Sequence, residues 1–238
     1  MLKDKVAIVT GATGALGRTV TKKLLNDGAK VVVPYRTEPR FNELINYVSG
    51  PSENLFGMRG DCKREEDLKG LAQTTNQKYG RVDILLNLVG GYIGGKEIDE
   101  TEEEVWDSVM ETNLKTAFLS SKAVLPYMKK QNYGKIVNVA ARPGAEKRLR
   151  ARSVPYAVSK AGVIVLTEGI AEEVKSYDIN VNCVLPSTMD TAENRLRYPK
   201  ADFLKWVPPE EVADVILFLA SDDSKPTSGA AIPVYGKA

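Results

Sequence analysis

The chain is predicted to be α/β, a single domain over residues 1–238 with a doubly wound parallel sheet of about seven strands flanked by helices. Three observations predict it. Short apolar runs alternate with longer segments of helical period along the whole chain, the pattern of repeated β-α-β units with right-handed crossovers. Most of these runs are apolar throughout rather than alternating, which suits strands covered on both faces. A glycine-rich turn, Thr10-Gly11-Ala12-Thr13-Gly14-Ala15-Leu16-Gly17, stands between the first run and the first helical segment. A chain of this length buries most of its apolar surface in a core without needing staples.

In chain order, strands are expected at 6–10, 30–33, 55–58, 82–87, 135–139, 179–184 and 231–234. Helices are expected between them at 15–26, 38–48, 64–78, 102–129, 154–176 and 209–220. No linker, low-complexity segment or repeat interrupts the series.

Composition excludes several classes of function. The formal charge is +2 with acids and bases interspersed, so no dedicated nucleic-acid surface is expected. The basic run Lys147-Arg148-Leu149-Arg150-Ala151-Arg152 reads as a solvated loop. No apolar run is read as long enough to span a bilayer, and the first residues enter a strand at once without a signal peptide, so a cytoplasmic protein is expected. Two cysteines and no histidine argue against a disulfide framework and a conventional zinc site. They also remove Ser-His-Asp and Cys-His hydrolases.

In doubly wound sheets ligands sit beyond the carboxyl ends of the strands, where strand order reverses. The turn after the first strand, with Gly11, Thr13, Gly14, Leu16 and Gly17, suits a pyrophosphate at a helix N-terminus. The second strand ends Val33-Pro34-Tyr35-Arg36-Thr37, without the carboxylate that would hold a ribose 2′-hydroxyl. Arg36 and Arg18 instead suit a 2′-phosphate, so NADP(H) is favoured over NAD(H). Asp61 is placed either to accept from an adenine amino group or to cap the helix beginning near Arg64. In Asn87-Leu88-Val89-Gly90-Gly91 the glycines let the chain pass close to a cofactor, and Asn87 ties neighbouring strands or serves the site. Tyr156 and Lys160 lie four apart and share a helix face. An ammonium beside a phenol favours the phenolate, so Tyr156 is expected to exchange a proton nearer neutral pH.

Together these residues, with Asn113, the segment from Pro186 to Thr191 and the C-terminal Pro209-Glu210-Glu211-Val212-Ala213, closely resemble the short-chain dehydrogenase/reductase family over nearly the whole chain. The resemblance implies a Rossmann-type fold and an NAD(P)-dependent oxidoreductase acting on a small molecule. It implies that Tyr156 exchanges a proton with substrate, that Lys160 lowers its pKa and binds the nicotinamide ribose, and that Asn113 holds a water in the relay. It further implies that Thr191 and the backbone near Met189 orient the carboxamide. A homodimer or homotetramer joined through the helices at 102–129 and 154–176 is implied too.

Two departures from the family pattern stand out. Ala15 occupies the place of a glycine in the turn. After the fifth strand, Ala140 and Ala141 replace the Ser that donates to the substrate oxygen; losing such a donor costs about 3 kcal/mol of transition-state stabilisation. Ser153 is read as a helix cap before Pro155 rather than a substitute. Ser159 is read as packing under the cofactor. Dihydropteridine reductases are members of this family that lack the Ser and reduce a quinonoid ring. The segments Val89-Gly90-Gly91-Tyr92-Ile93-Gly94-Gly95 and 184–206 resemble theirs, with Tyr92 either stacking on a flat ring or anchoring the loop. The expected activity is reduction of a planar quinonoid or conjugated imine, a dihydropteridine first. The alternatives are a carbonyl or 3-oxoacyl reductase lacking the Ser, and a non-catalytic nucleotide-binding sensor or scaffold.

Overall fold

Alternate residues of a strand face opposite sides of its sheet, and here both sides are apolar. A computed structural model describes residues 2–50 and 52–237. Its strands are β1 (Val6–Thr10), β2 (Lys30–Tyr35), β3 (Leu55–Arg59), β4 (Ile84–Asn87), β5 (Gly134–Val139), β6 (Ile179–Pro186) and β7 (Ala231–Val234). Among the described residues they form one seven-stranded sheet in the order β3-β2-β1-β4-β5-β6-β7, parallel throughout. This is the Rossmann-like α/β fold.

The helices are α1 (Ala15–Asn26), α2 (Glu38–Tyr47), α3 (Glu65–Tyr79), α4 (Glu103–Met110), α5 (Thr116–Gln131), α6 (Arg142–Ala145), α7 (Val154–Glu173), α8 (Ala192–Arg197) and α9 (Pro209–Ala220). Ala7, Val9, Val31 and Leu86 face one core with Val20 and Leu24 of α1 and Ile216 of α9. Ile8, Val32, Leu85 and Ile136 face a second core with Leu71 of α3, Met128 of α5 and Ile170 of α7. The inner strands β1 and β4 are wholly buried, and the edge strand β3 is only partly covered. That difference explains why the inner strands carry unbroken apolar runs.

Strand order reverses between β1 and β4, so their carboxyl ends open the crevice. Beneath it runs a buried polar chain. The Asn87 amide donates to Asn138 Oδ1 at 2.8 Å, and Asn138 Nδ2 donates to Thr167 Oγ1 at 2.9 Å. Ser120 Oγ donates to Asn87 Oδ1 at 2.6 Å. The chain thus joins β4, β5, α5 and α7, giving Asn87 the strand-tying role.

Two expectations need correction. The single helix expected over 102–129 is α4 and α5 joined by a π-helical turn, Glu111–Lys115. Such turns insert a residue and re-aim a side chain; here the buried one is Asn113. Apolar spacing does not register an insertion between two helices of the same phase. Second, α7 is long and apolar enough to cross a bilayer by length and composition. Its Val163, Thr167 and Ile170 are instead buried, and Ile170 packs beside β5 and β6 in the second core. The run 147–152 is exposed, as expected of a solvated loop, and is hydrogen-bonded as well. Arg150 donates to the carbonyls of Pro143, Gly144 and Ala145 at the end of α6. Arg148 pairs with Glu146, and Arg152 donates to Gly95 O at 2.9 Å.

Candidate active site

The turn after β1 is shaped by two close approaches. Gly11 has φ +71, and a Cβ there would lie 2.8 Å from Val89 N, across the crevice on the β4 side. A Cβ on Gly17 would meet the Gly11 carbonyl and lie 2.7 Å from Ala12 Cα, so α1 seats directly on the turn. Gly14, the N-cap of α1, brings no side chain to the first-turn N–H groups. Those donors, with the helix dipole, fit a pyrophosphate. Thr13 borders the turn half-buried. Leu16 is buried in the first core and supports the turn from beneath.

At the end of β2, Arg36 is exposed and none of the ion pairs among the described residues engages it. Glu38, the next carboxylate, accepts from the Tyr35 hydroxyl at 2.5 Å, and Tyr35 stacks on Phe41 with ring centroids 4.6 Å apart. The Arg18 guanidinium lies 4.7 Å over the Tyr47 ring. Asp61 Oδ1 accepts from Lys63 N at 3.0 Å. Arg64, not Asp61, occupies the N-cap of α3, which corrects the capping alternative for Asp61.

Lys160 and Tyr156 lie one turn apart near the start of α7. Lys160 Nζ donates to the Val139 carbonyl at the end of β5, at 2.8 Å. Burial pulls its pKa down to about 8. A Cβ on Gly90 would lie 3.1 Å from Lys160 Nζ and 3.3 Å from Asn113 Oδ1, so Gly90, Lys160 and Asn113 converge. Asn113 is committed on every side. Its Nδ2 donates to Gly91 O at 3.1 Å and Ser159 Oγ at 3.0 Å, and its Oδ1 accepts from Gly91 N at 2.8 Å. Asn113 therefore pins the loop after β4 to α7.

The Tyr156 phenol departs from the sequence expectation. Burial pushes its pKa above the ordinary phenol value, and neighbouring Tyr92 adds to the rise. Lys160 does not offset this, because its ammonium is turned to the Val139 carbonyl. Tyr156 is thus a protonated acid at neutral pH.

Ala140 and Ala141 are both buried, and no hydroxyl stands at either. Ser153 is the N-cap residue of α7, as expected, but its side chain accepts no helix N–H; its Oγ donates back to Leu149 O at 3.3 Å and Arg150 O at 3.4 Å. Ser159 Oγ donates to Tyr156 O at 2.7 Å. Beyond β6, which ends at buried Pro186, Met189 pairs with Val207 in an isolated parallel bridge. The Met189 carbonyl accepts from Thr191 N at 3.0 Å and Asn194 Nδ2 at 2.9 Å. Thr191 Oγ1 caps α8, accepting from Asn194 N at 3.2 Å.

Tyr92, which the sequence left between stacking on a flat ring and anchoring its loop, lies beside Tyr156. The Tyr92 ring meets Tyr156 edge-on, centroids 4.9 Å apart at 78°. The Arg197 guanidinium lies 5.5 Å over Tyr92, and Arg197 Nη1 donates to Tyr92 O at 3.3 Å. The Gly-Gly-Tyr-Ile-Gly-Gly pattern was the only signal of this placement.

This geometry places the chain within a known family. The short chain dehydrogenase model matches residues 5–201, and the chain belongs to the short-chain dehydrogenase/reductase family; it is an NAD(P)-dependent oxidoreductase. It is 34% identical to a 3-oxoacyl-[acyl-carrier-protein] reductase, FabG, of Thermotoga maritima, over 99% of this chain and 98% of that protein. It is 31% identical to dehydrogenase/reductase SDR family member 4 of Oryctolagus cuniculus, over 100% of this chain and 94% of the relative. Among solved structures, levodione reductase superposes with a TM-score of 0.91 at 25% identity, covering 99% of this chain and 98% of that one. A variant actinorhodin polyketide ketoreductase with NADPH gives a TM-score of 0.89 at 27% identity, again over 99% and 98%.

Proposed function

We propose that this chain is an NADPH-dependent carbonyl reductase acting on a small ketone or 3-oxoacyl substrate. The observation that carries the reading is the placing of Tyr156, a half-buried phenol, one turn before Lys160 on α7, with Lys160 held at the end of β5 and Tyr92 of the loop after β4 against the phenol ring. A protonated phenol is the acid a carbonyl oxygen needs as it becomes an alcohol. The bound nicotinamide supplies the hydride. Lys160, held by Val139, meets the nicotinamide ribose, and Asn113 keeps the Gly91 loop in register with α7. The names of the FabG relative and of the ketoreductase neighbour support reduction of an oxo group.

NADP(H) is preferred over NAD(H) in this reading. Unpaired Arg36 supports it, as does the engagement of Glu38 by Tyr35, and the ketoreductase neighbour was solved with NADPH. Asp61 and the Met189–Thr191 segment complete the adenine and carboxamide ends. Assembly as a homodimer or homotetramer through α5 and α7 is supported by exposed Phe118, Val158 and Val165.

A second reading, reduction of a planar quinonoid ring such as a dihydropteridine, rests on Ala140 and Ala141, since a ring without a carbonyl to polarise needs no Ser. None of the relatives named above is a dihydropteridine reductase, so this reading stands second. The test is NADPH and NADH oxidation against ketones, 3-oxoacyl thioesters and quinonoid dihydropterin. Turnover of ketones or thioesters with NADPH is expected; turnover of the pterin alone would replace the first reading with the second. Tyr156→Phe should lower kcat at least 100-fold while NADPH still binds. Undiminished function in that variant would favour a sensor or scaffold.

A further inference from the structure

We propose that the Tyr92 hydroxyl supplies the hydrogen bond to the substrate oxygen that a side chain at Ala140 or Ala141 cannot, making Tyr92 a second catalytic residue beside Tyr156. The inference rests on the carbonyl-reductase reading and follows from a census of the donors around Tyr156. The hydroxyl hydrogen of Ser153 goes to the Leu149 and Arg150 carbonyls. That of Ser159 goes to the Tyr156 carbonyl. Both Asn113 amide hydrogens go to Gly91 and Ser159. Lys160 is turned to Val139.

Tyr92 is the aromatic hydroxyl that remains against Tyr156, ring edge to ring face at 4.9 Å. Its position is built rather than incidental. Arg197 covers the ring from the α8 side and bonds its carbonyl. Gly94 leaves the space for its hydroxyl: a Cβ there would lie 2.5 Å from the Tyr92 hydroxyl oxygen and 3.0 Å from Ser153 Cβ. The hydroxyl therefore sits against Gly94, close to Ser153 at the start of α7. Burial first, then neighbouring Tyr198, with which the Tyr92 side chain hydrogen-bonds, raise its pKa, so Tyr92 keeps its proton at neutral pH and donates it as a hydrogen bond to the substrate oxygen in exchange for that bond to Tyr198. In the reaction the carbonyl carbon takes hydride from NADPH and the oxygen takes the Tyr156 proton. A ketone and NADPH become an alcohol and NADP⁺, and Tyr92 donates a hydrogen bond to the oxygen without losing its proton.

The test compares Tyr92→Phe, Tyr198→Phe and Ser153→Ala in the full chain, with kcat/KM for a ketone panel and the NADPH Kd by fluorescence titration. Phe keeps the ring contact with Tyr156 and Arg197 and removes only the hydroxyl. Tyr92→Phe should lower kcat/KM about 100-fold with the NADPH Kd unchanged, while the other two variants stay within about threefold of wild type on the same panel. Wild-type rates in Tyr92→Phe would overturn the assignment alone. An equal loss in Tyr198→Phe would overturn it in favour of loop positioning, and a 100-fold loss in Ser153→Ala would move the donor to Ser153. A wild-type chain that reduces no ketone would overturn the carbonyl-reductase reading and the Tyr92 assignment with it.

Discussion

Lys160 shows how a single residue sets function against stability. It is 4% exposed and its pKa falls from 10.5 to about 8 through burial. The folded chain releases this proton near pH 8 and the unfolded chain near 10.5, so between them the unfolded state binds more protons and stability rises with pH. Below about pH 8 the buried ammonium costs the fold about 3 kcal/mol. Lys160→Met should therefore abolish reduction yet gain about 2 kcal/mol at pH 7, after loss of the bond to Val139. Urea denaturation should show that gain shrinking as pH rises toward 10. Arg36 acts at the same scale. Arg36→Ala should raise the NADPH Kd about 10-fold or more and leave the NADH Kd within twofold, because a charge-assisted bond to a 2′-phosphate is worth about 1.5–3 kcal/mol. Equal weakening of both cofactors, read by fluorescence titration, would count against the 2′-phosphate assignment.

Elements position these residues through their ends. The seat of α1 on the Gly11 turn leaves no room for a Cβ at Gly17. Gly17→Ala must push the helix off the turn, costing about 1–3 kcal/mol and weakening NADPH binding at least 10-fold. Urea midpoints and cofactor titration check the two effects separately. The junction of α4 and α5 does the same for Asn113. A π-helical turn there presents the amide to Gly91 on one side and Ser159 on the other, so the loop after β4 and the helix bearing Tyr156 hold one register. The short α6 has few backbone bonds of its own, and Arg150 completes it from seven residues away or fewer.

At the scale of the molecule, β4 and β5 are joined to α7 beneath the site by the polar chain through Asn87, Asn138 and Thr167. Buried amides left without partners are costly. Asn138→Ala removes one partner from both Asn87 and Thr167 and should destabilise the fold by about 1–3 kcal/mol, measured by urea denaturation. A neutral result would mean that Ser120 and Ser121, which also bond Asn87, carry the junction alone.

Several features were legible in the residues themselves. Periodicity marked the seven strands to within two or three residues, because inner strands covered on both faces must be apolar at every position. The glycine turn, the missing acid after Val33 and the Tyr156–Lys160 pair were legible because each is a short-range pattern whose geometry the local backbone dictates. What local pattern left undecided depends on groups far apart in the chain. The rise in the Tyr156 pKa comes from burial and from Tyr92, 64 positions earlier by number. The bond that holds the Lys160 ammonium needs Val139, and the bonds of the Asn113 amide need Gly91 and Ser159. Hydrogen bonds and desolvation act over a few ångströms whatever the separation along the chain. The sequence by itself thus determined the fold, the family and the Tyr156–Lys160 pair proposed to react, and the tertiary structure decided which hydroxyls and amides beside that pair are already engaged.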